Sequence, residues 1–289
     1  TEKIVAKGQI GIYEHACKKL DLSCNINAEV TLAPPPDSVH FIKKKLDGYS
    51  LAEEEIFDII QDTVENRLSD VELSAFVSAI YTRGLANEEV IDLITSMVNT
   101  GETLNIKRKP IFDKHCIGGV PGNRTTMAIV PILGAAGLTI PKTSSRAISS
   151  AAGTTDTMEV FCDVSFHKDE IEKIVEKIGC CIVWGGGVDL AIADDKLIKI
   201  RNPLGLDPQS LLLASILAKK KASGSEKVVI DIPVSKNAKI KDMEVARKLA
   251  RDFISLGEML EMEIKCMITY GGKPVGRGIG PALEAIDVL

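Results

Sequence analysis

At 289 residues, with 45% hydrophobic and 26% charged side chains, the chain can bury a large core and hold two domains. Its net charge of −5, from 35 Lys and Arg against 40 Asp and Glu, argues against a general nucleic-acid binder, so an anionic ligand must meet a local positive site. No apolar run approaches the roughly 18–20 residues that span a bilayer, and TEKIVAKGQIG at the start lacks a signal-peptide core, so we expect no membrane partner and a cytoplasmic location.

Cysteines 17, 24, 116, 162, 180, 181 and 266 are odd in number, scattered, and never in a CxxC pair. Reduced thiols are expected, with no metal site. Residues 1–34 read as short strands in VAKGQIGIY and NINAEVTLAP around a helix at His15–Leu20. That is too little for a core and is expected to be the remnant of an N-terminal domain. Pro34-Pro35-Pro36 then acts as a linker. Capping boxes at Ser50–Glu53 and Ser69–Glu72, and Asn87, open three helices that place Ile56, Ile59, Ile60 and Val64, then Leu73, Phe76, Val77 and Ile80, then Val90, Ile91, Ile94 and Val98 on single faces.

From Ile106 the pattern alternates strand, glycine loop and helix. Met127–Gly137 is apolar nearly all round and predicts a buried helix. Strands are predicted at 138–141, 180–184, 228–232 and 264–269, and helices at 166–178, 211–218 and 243–256. The fold class is therefore α/β: a small all-helical domain plus a larger α/β domain with a mostly parallel sheet. The expected division is a helical domain at 35–104, joined in space by about 195–222, and an α/β domain at 105–194 and 223–289 that continues beyond Leu289.

Two loops carry the chemistry. Asp113-Lys-His-Cys-Ile-Gly-Gly-Val-Pro-Gly-Asn123 joins a cation and an imidazole to three glycines, and Lys142–Thr155 joins seven Ser/Thr hydroxyls to a Lys and an Arg. Exposed backbone N–H groups, hydroxyls and ammonium groups are what a phosphate oxyanion needs. Each loop follows a strand and precedes a helix, where open α/β sheets bind ligands. The first loop lacks the Lys-Ser/Thr ending of a P-loop, and Gly185-Gly186-Gly187 reads as a tight turn. Of the four histidines, His115 is the functional candidate, as a hydrogen-bond donor or proton shuttle, while His15, His40 and His167 read as inert surface residues. Cys116 reads as a small side chain facing the loop backbone, with a nucleophile as the alternative. Ser215 and Lys219 share a helix face beyond Arg201 and Asp207, where a solvated helix end is the plainer reading.

The segments KGQIGIY, SLAEEEIFDIIQDTVENRLSDVELSAFVSAIY, DKHCIGGVPGN, IPKTSSRAISSAAGTTDTMEV and DPQSLLLASILAKK resemble the thymidine phosphorylase family of nucleoside phosphorylases over nearly the whole chain. VPGN and SSRAISSAAGT are similar to its AMP-type branch. The resemblance implies an active site in the cleft between the two domains and an attack of inorganic phosphate on a nucleoside 5′-monophosphate, AMP giving adenine and ribose 1,5-bisphosphate. It implies no cofactor, phosphate as co-substrate, and a homodimer or higher homo-oligomer formed through the helical domain. Lys114, Cys116, Thr126 (or Thr125), Ser144 and Thr154 would hold phosphate. Gly119, Ser145, Arg146, Ala147, Ile148, Ser149, Ser150, Thr154, Ser215, Lys219 and Lys239 would hold the nucleotide. Asp207 takes the position of the proton donor to the leaving base, which calls for a carboxyl whose pKa is raised by burial. Cys116 stands where the family carries Ser. The competing readings are a thymidine or pyrimidine-nucleoside phosphorylase and a nucleotide-binding homologue without catalysis. A phosphoribosyltransferase is more distant, because no acidic pair is placed for its magnesium.

Overall fold

The computed structural model describes residues 5–22, 26–32, 34–118, 124–147 and 151–289. They fall into two units, Thr1–Pro35 and Pro36–Leu289. The first holds one helix, α1 (Glu14–Lys19), close to the expected position. The strands expected on either side are absent among the described residues. Ile10, Ile26, Val30 and Leu32 are exposed, so these short stretches bury little apolar surface of their own.

The second unit opens with four helices, α2 (Ser38–Leu46), α3 (Glu53–Val64), α4 (Asp70–Arg83) and α5 (Asn87–Asn99). The apolar faces predicted for the last three meet in one core, where Ile56, Ile59, Ile60, Phe76, Val77, Ile80 and Ile94 are almost fully buried. Helix α2 is an addition to the sequence reading, a short segment with Ile42 inward. So is α9 (Ile192–Leu204), whose apolar spacing is broken by paired charges. It packs on α3 and α4, while α10 (Gln209–Ala222) packs on α5.

The box at Ser69–Glu72 forms: Glu72 accepts the Ser69 N–H at 2.6 Å, and Ser69 Oγ accepts the Glu72 N–H at 3.5 Å. The one at Ser50–Glu53 does not. Helix α3 starts two residues later, where Glu55 accepts the Ala52 N–H at 2.8 Å and also pairs with Lys44. A carboxylate at the third helical position does this job even where the preceding cap has no side-chain oxygen. Glu89 goes further. Its buried carboxylate takes the N–H groups of Leu51 and Ala86, each at 2.9 Å, and the buried Lys45 ammonium at 2.7 Å. One side chain therefore fixes α2 and the starts of α3 and α5.

Five parallel strands follow among the described residues: β1 (Phe112–Cys116), β2 (Ile140–Ser144), β3 (Cys180–Trp184), β4 (Lys227–Val234) and β5 (Glu263–Tyr270). They form a sheet of order β1-β4-β5 and a pair β2-β3. A single bridge, Ile111 to Thr139, joins the two groups side by side. Apolar Val228 and Ile230 fill the buried middle of β4, as parallel strands covered on both faces require. Helix α11 (Met243–Met259) covers this sheet with Ala246, Leu249, Phe253 and Leu256, spaced at helical intervals. Helix α8 (Lys168–Ile178) packs on β2 and β3, and α12 (Pro281–Val288) ends the chain. Helix α6 (Thr125–Ala135) differs from expectation. Only Thr126, Met127 and Val130 are buried, and Ile132 faces outward, so its apolar outer face is not core.

Burial alone would raise the Glu89 carboxyl, but the Leu51 amide, Lys45 and the Ala86 amide outweigh it and hold it below the ordinary value. Glu89→Ala leaves Lys45 buried without a partner and should cost about 3–5 kcal/mol in denaturant unfolding. Because the folded value is lowered, the stabilisation is present above the unfolded pKa of about 4.3 and is lost as pH falls through the lower folded value. Wild type and variant should therefore converge in stability toward acid.

Candidate active site

Strand β1 delivers Asp113, Lys114, His115 and Cys116 toward the carboxyl edge of the sheet, and β4 pairs with it so that Cys116 lies opposite Asp231. The Lys114 ammonium donates to Thr125 Oγ1 at 2.8 Å, in the first turn of α6, and lies 3.6 Å from Asp231 Oδ2. Thr269 Oγ1 donates to the other Asp231 oxygen at 2.6 Å. The hydroxyl beside Lys114 is thus that of Thr125, while Thr126 is turned into the protein. Gly118 turns the chain at φ 91°, a conformation that costs glycine nothing. Gly119 lies outside the described residues, as do Ile148, Ser149 and Ser150 of the second loop.

His115 is surrounded by cations. Burial, then Lys142, Lys220, Lys219 and Lys114, push its pKa well below the ordinary value. At neutral pH it is a neutral imidazole that can donate one hydrogen bond, and the imidazolium form of a proton shuttle is disfavoured. The Cys116 thiol is raised, chiefly by burial and against the Gly118 amide, so the thiolate that a nucleophile requires is disfavoured.

The second loop leaves β2 at Ser144, whose Oγ shares a 2.8 Å hydrogen bond with Thr155 Oγ1. Thr154 opens the short helix α7 (Thr154–Met158). A Cβ on Gly153 would stand 2.5 Å from the Arg146 carbonyl carbon and 2.6 Å from the Ala147 nitrogen, so only glycine lets α7 lie this close under Ser145–Ala147. Asp156 binds the loop together. Its carboxylate accepts the Ala147 N–H at 2.8 Å, the Gly153 N–H at 2.9 Å and the Arg146 guanidinium at 3.1 Å. Arg146 also pairs with both Glu159 oxygens and lies 5.0 Å from the centre of the Trp184 ring. Lys142, read from the sequence as part of this loop's positive charge, is buried instead, 3.4 Å from Asp113.

The third group stands on the helical side. Asp207 Oδ1 accepts from Arg201 at 2.6 Å, and Oδ2 lies 2.5 Å from the Lys239 ammonium. Burial was expected for this carboxyl. Its side chain is instead 38% exposed, with a cation on each oxygen. Ser215 and Lys219 on α10 both donate to Asp194 Oδ2, each at 2.6 Å. Burial lowers the Lys219 pKa, but Asp194 and Asp195 outweigh it, so Lys219 remains a cation. The plain reading of Ser215 and Lys219 as a solvated helix end does not hold.

Sequence reasoning missed the carboxylates that hold these groups: Asp113, Asp156, Asp194 and Asp231. One signal was available: an acid inside an apolar strand, as in Val228-Val-Ile-Asp-Ile232, needs a buried partner. Gly185–Gly187 forms a single 3-10 turn, as read. Among the described residues no group of three or more His, Cys, Asp or Glu side chains is placed to hold a metal ion. No described helix is long and apolar enough to cross a membrane.

Two hydroxyl- and lysine-bearing loops at the carboxyl edge of a parallel sheet, packed with a helical unit, define a class of two-part α/β proteins with an anion site at that edge. Residues 39–101 match the model of the glycosyl transferase family helical bundle domain, and residues 108–283 that of the glycosyl transferase family α/β domain. The chain belongs to this glycosyl transferase family. It is 52% identical over 286 residues to the AMP phosphorylase of Thermococcus kodakarensis, and 52% identical over 286 residues to that of Pyrococcus furiosus. It is 50% identical over 289 residues to AMP phosphorylase 1 of Archaeoglobus fulgidus. These alignments cover 99–100% of this chain but 57% of each relative, so the chain spans a little over half their length. Among solved structures, anthranilate phosphoribosyltransferase of Thermus thermophilus superposes with a TM-score of 0.69 at 20% identity, covering 87% of this chain and 81% of that one. That likeness is one of fold.

Cys116 offers a weak S–H donor where a hydroxyl would offer a strong one. Cys116→Ser should therefore keep phosphate affinity within about threefold or improve it, as calorimetric titration with phosphate will read. A loss well beyond that would assign the thiol its own role.

Proposed function

We propose that the chain carries out phosphorolysis of nucleoside 5′-monophosphates, with AMP and inorganic phosphate giving adenine and ribose 1,5-bisphosphate. The observation that carries this is the meeting of two sets of groups at β1. Lys220, next to Lys219 on α10 of the helical side, pairs with Asp113, next to Lys114 of the first loop. The names of the relatives, aligned over almost all of this chain, support AMP as the nucleotide.

In this reading an oxygen of inorganic phosphate attacks C1′ of the ribose as the bond from C1′ to the base nitrogen breaks. The electron pair of that bond leaves with adenine, and a proton must reach the base. Lys114, the Ser144 hydroxyl and the Thr154 end of α7 hold the phosphate in line and stabilise its charge. Ser145–Ala147 and Arg146 take the nucleotide's own phosphate and ribose. Ser215 and Lys219 face the base, and neutral His115 donates a hydrogen bond to a substrate oxygen. The proton is the one that hydrogen phosphate sheds as its oxygen bonds to C1′, and Asp207 passes it to the base, for which Lys239 must exchange its Asp207 partner for the nucleotide. No cofactor enters these steps. The described cysteines are all free thiols, which supports work in the cytoplasm. Val71 and Tyr81, exposed on α4, support a homo-oligomer formed through the helices.

Release of free base should require phosphate and proceed from AMP, CMP or UMP without added metal, with thymidine a poor substrate. Asp207→Asn should lower turnover by about 10²–10⁴ while phosphate still binds. Release from thymidine alone would move the chain to the pyrimidine-nucleoside reading. Tight AMP binding with no release would favour the non-catalytic one.

A further inference from the structure

The mechanism above leaves unused a cluster of deeply buried charges in the α/β region. Asp113 has no exposed side-chain surface, and Lys220 and Lys142 are nearly as buried. One Asp113 oxygen receives the Lys220 ammonium. The other receives the Lys114 N–H at 2.7 Å and faces the Lys142 ammonium at 3.4 Å. These partners sit on three separate elements, each next to a group assigned to the reaction. Asp113 precedes Lys114 on β1, Lys220 follows Lys219 on α10, and Lys142 stands two residues before Ser144 on β2.

The sheet explains why a strut is needed here. Strands β1 and β2 touch through the bridge at Ile111 and Thr139, where the Phe112 N–H donates to the Thr139 carbonyl at 2.8 Å. Beyond that point β1 pairs with β4 and β2 with β3, and no further ladder joins them among the described residues. Both strands go on to present the two anion loops. Among the described residues, the contact between Lys142 and Asp113 spans the split between them.

We propose that Asp113 is a positioning residue for the anion site, and that Lys142 is the strut through which it sets the spacing of Lys114 and Ser144. This rests on the reading of the two loops as a phosphate site. A cation placed there also adds to the field of Lys114 and favours a dianion at the sheet edge. Burial holds Lys142 down to about 7; Asp113 pulls it up, and Lys220 and Lys114 push it down. On the β3 side the Lys142 backbone N–H donates to the Cys181 thiol, which is pushed up to about 12 chiefly by burial and is therefore neutral. Raising the pH through neutrality thus removes the charge of the strut, and a bound dianion favours its return.

Asp113→Asn would leave two buried lysines without a counter-charge and is expected to unfold the region, so the test uses Lys142. Lys142→Met leaves Asp113 matched one-to-one with Lys220, and its unliganded melting temperature should stay close to wild type. Sulfate is the probe, because it remains a dianion across the range and its binding needs no turnover. By calorimetry, wild type should bind sulfate more tightly at about pH 6 than at about pH 8.5, and Lys142→Met should bind about tenfold more weakly at the lower pH, with the pH step gone. Lys142→Arg should restore the affinity and keep it flat with pH, since a guanidinium does not titrate there. The proposal is overturned if wild type fails to bind sulfate or Lys142→Met binds as wild type does. A pH step that persists in Lys142→Met, or an Arg variant no better than Met, overturns it equally. A wild type that binds sulfate but releases no base would defeat the functional reading and leave this result standing.

Discussion

The pairing of lysines with buried carboxylates is the constraint on which the site depends. An acidic protein must gather positive charge at one edge of a sheet and keep it largely out of water. A buried ammonium without a counter-charge would lose its proton or unfold its surroundings. Lys114 therefore leans on Asp231, Lys219 on Asp194, and Lys142 with Lys220 on Asp113. Asp207 takes Arg201 and Lys239. The cations are held in place before any ligand arrives, which is the arrangement that lowers the cost of ordering them on binding.

These pairs follow from the architecture. Parallel strands send their carboxyl ends, and the loops after them, to a common edge. Splitting the sheet between β1 and β2 gives that edge two loops instead of one continuous rim. Helices α9 and α10 leave the α/β region to join the helical bundle, so Lys219 and Lys220 stand on one helix between the two halves. Neighbouring lysines on that helix have different partners, Asp194 for one and Asp113 for the other. The helical half is fixed by the same device, with Glu89 collecting two helix starts and Lys45.

Much of this was legible in the sequence because periodicity reports burial directly. The faces of α3, α4 and α5, and the alternation that becomes the parallel sheet, came from spacing alone. The loops were visible because glycine and hydroxyl residues crowd between a strand and a helix. The fold's less periodic parts were not visible. Helix α2 is short, α9 carries charges inside its apolar spacing, and the apolar outer face of α6 reads as core although it is exposed. Within the site, Lys142 and Arg146 looked alike as loop cations. One is buried against Asp113, and the other lies at the surface against Asp156, Glu159 and Trp184. Partner choice of this kind is long-range, between residues far apart in sequence, and leaves no local pattern. The burial expected for Asp207 failed for the same reason, since it was argued from chemistry and not from a spacing.

Phosphorus NMR of the protein with AMP and inorganic phosphate tests the central claim most directly. If an anion site beside the nucleotide delivers phosphate to C1′, the AMP and inorganic phosphate signals fall together. Two new ribose phosphate signals then rise in equal amounts from one product. Loss of AMP with a single new signal and constant inorganic phosphate would mean that water, not phosphate, is the attacking group, and would contradict the anion-site account.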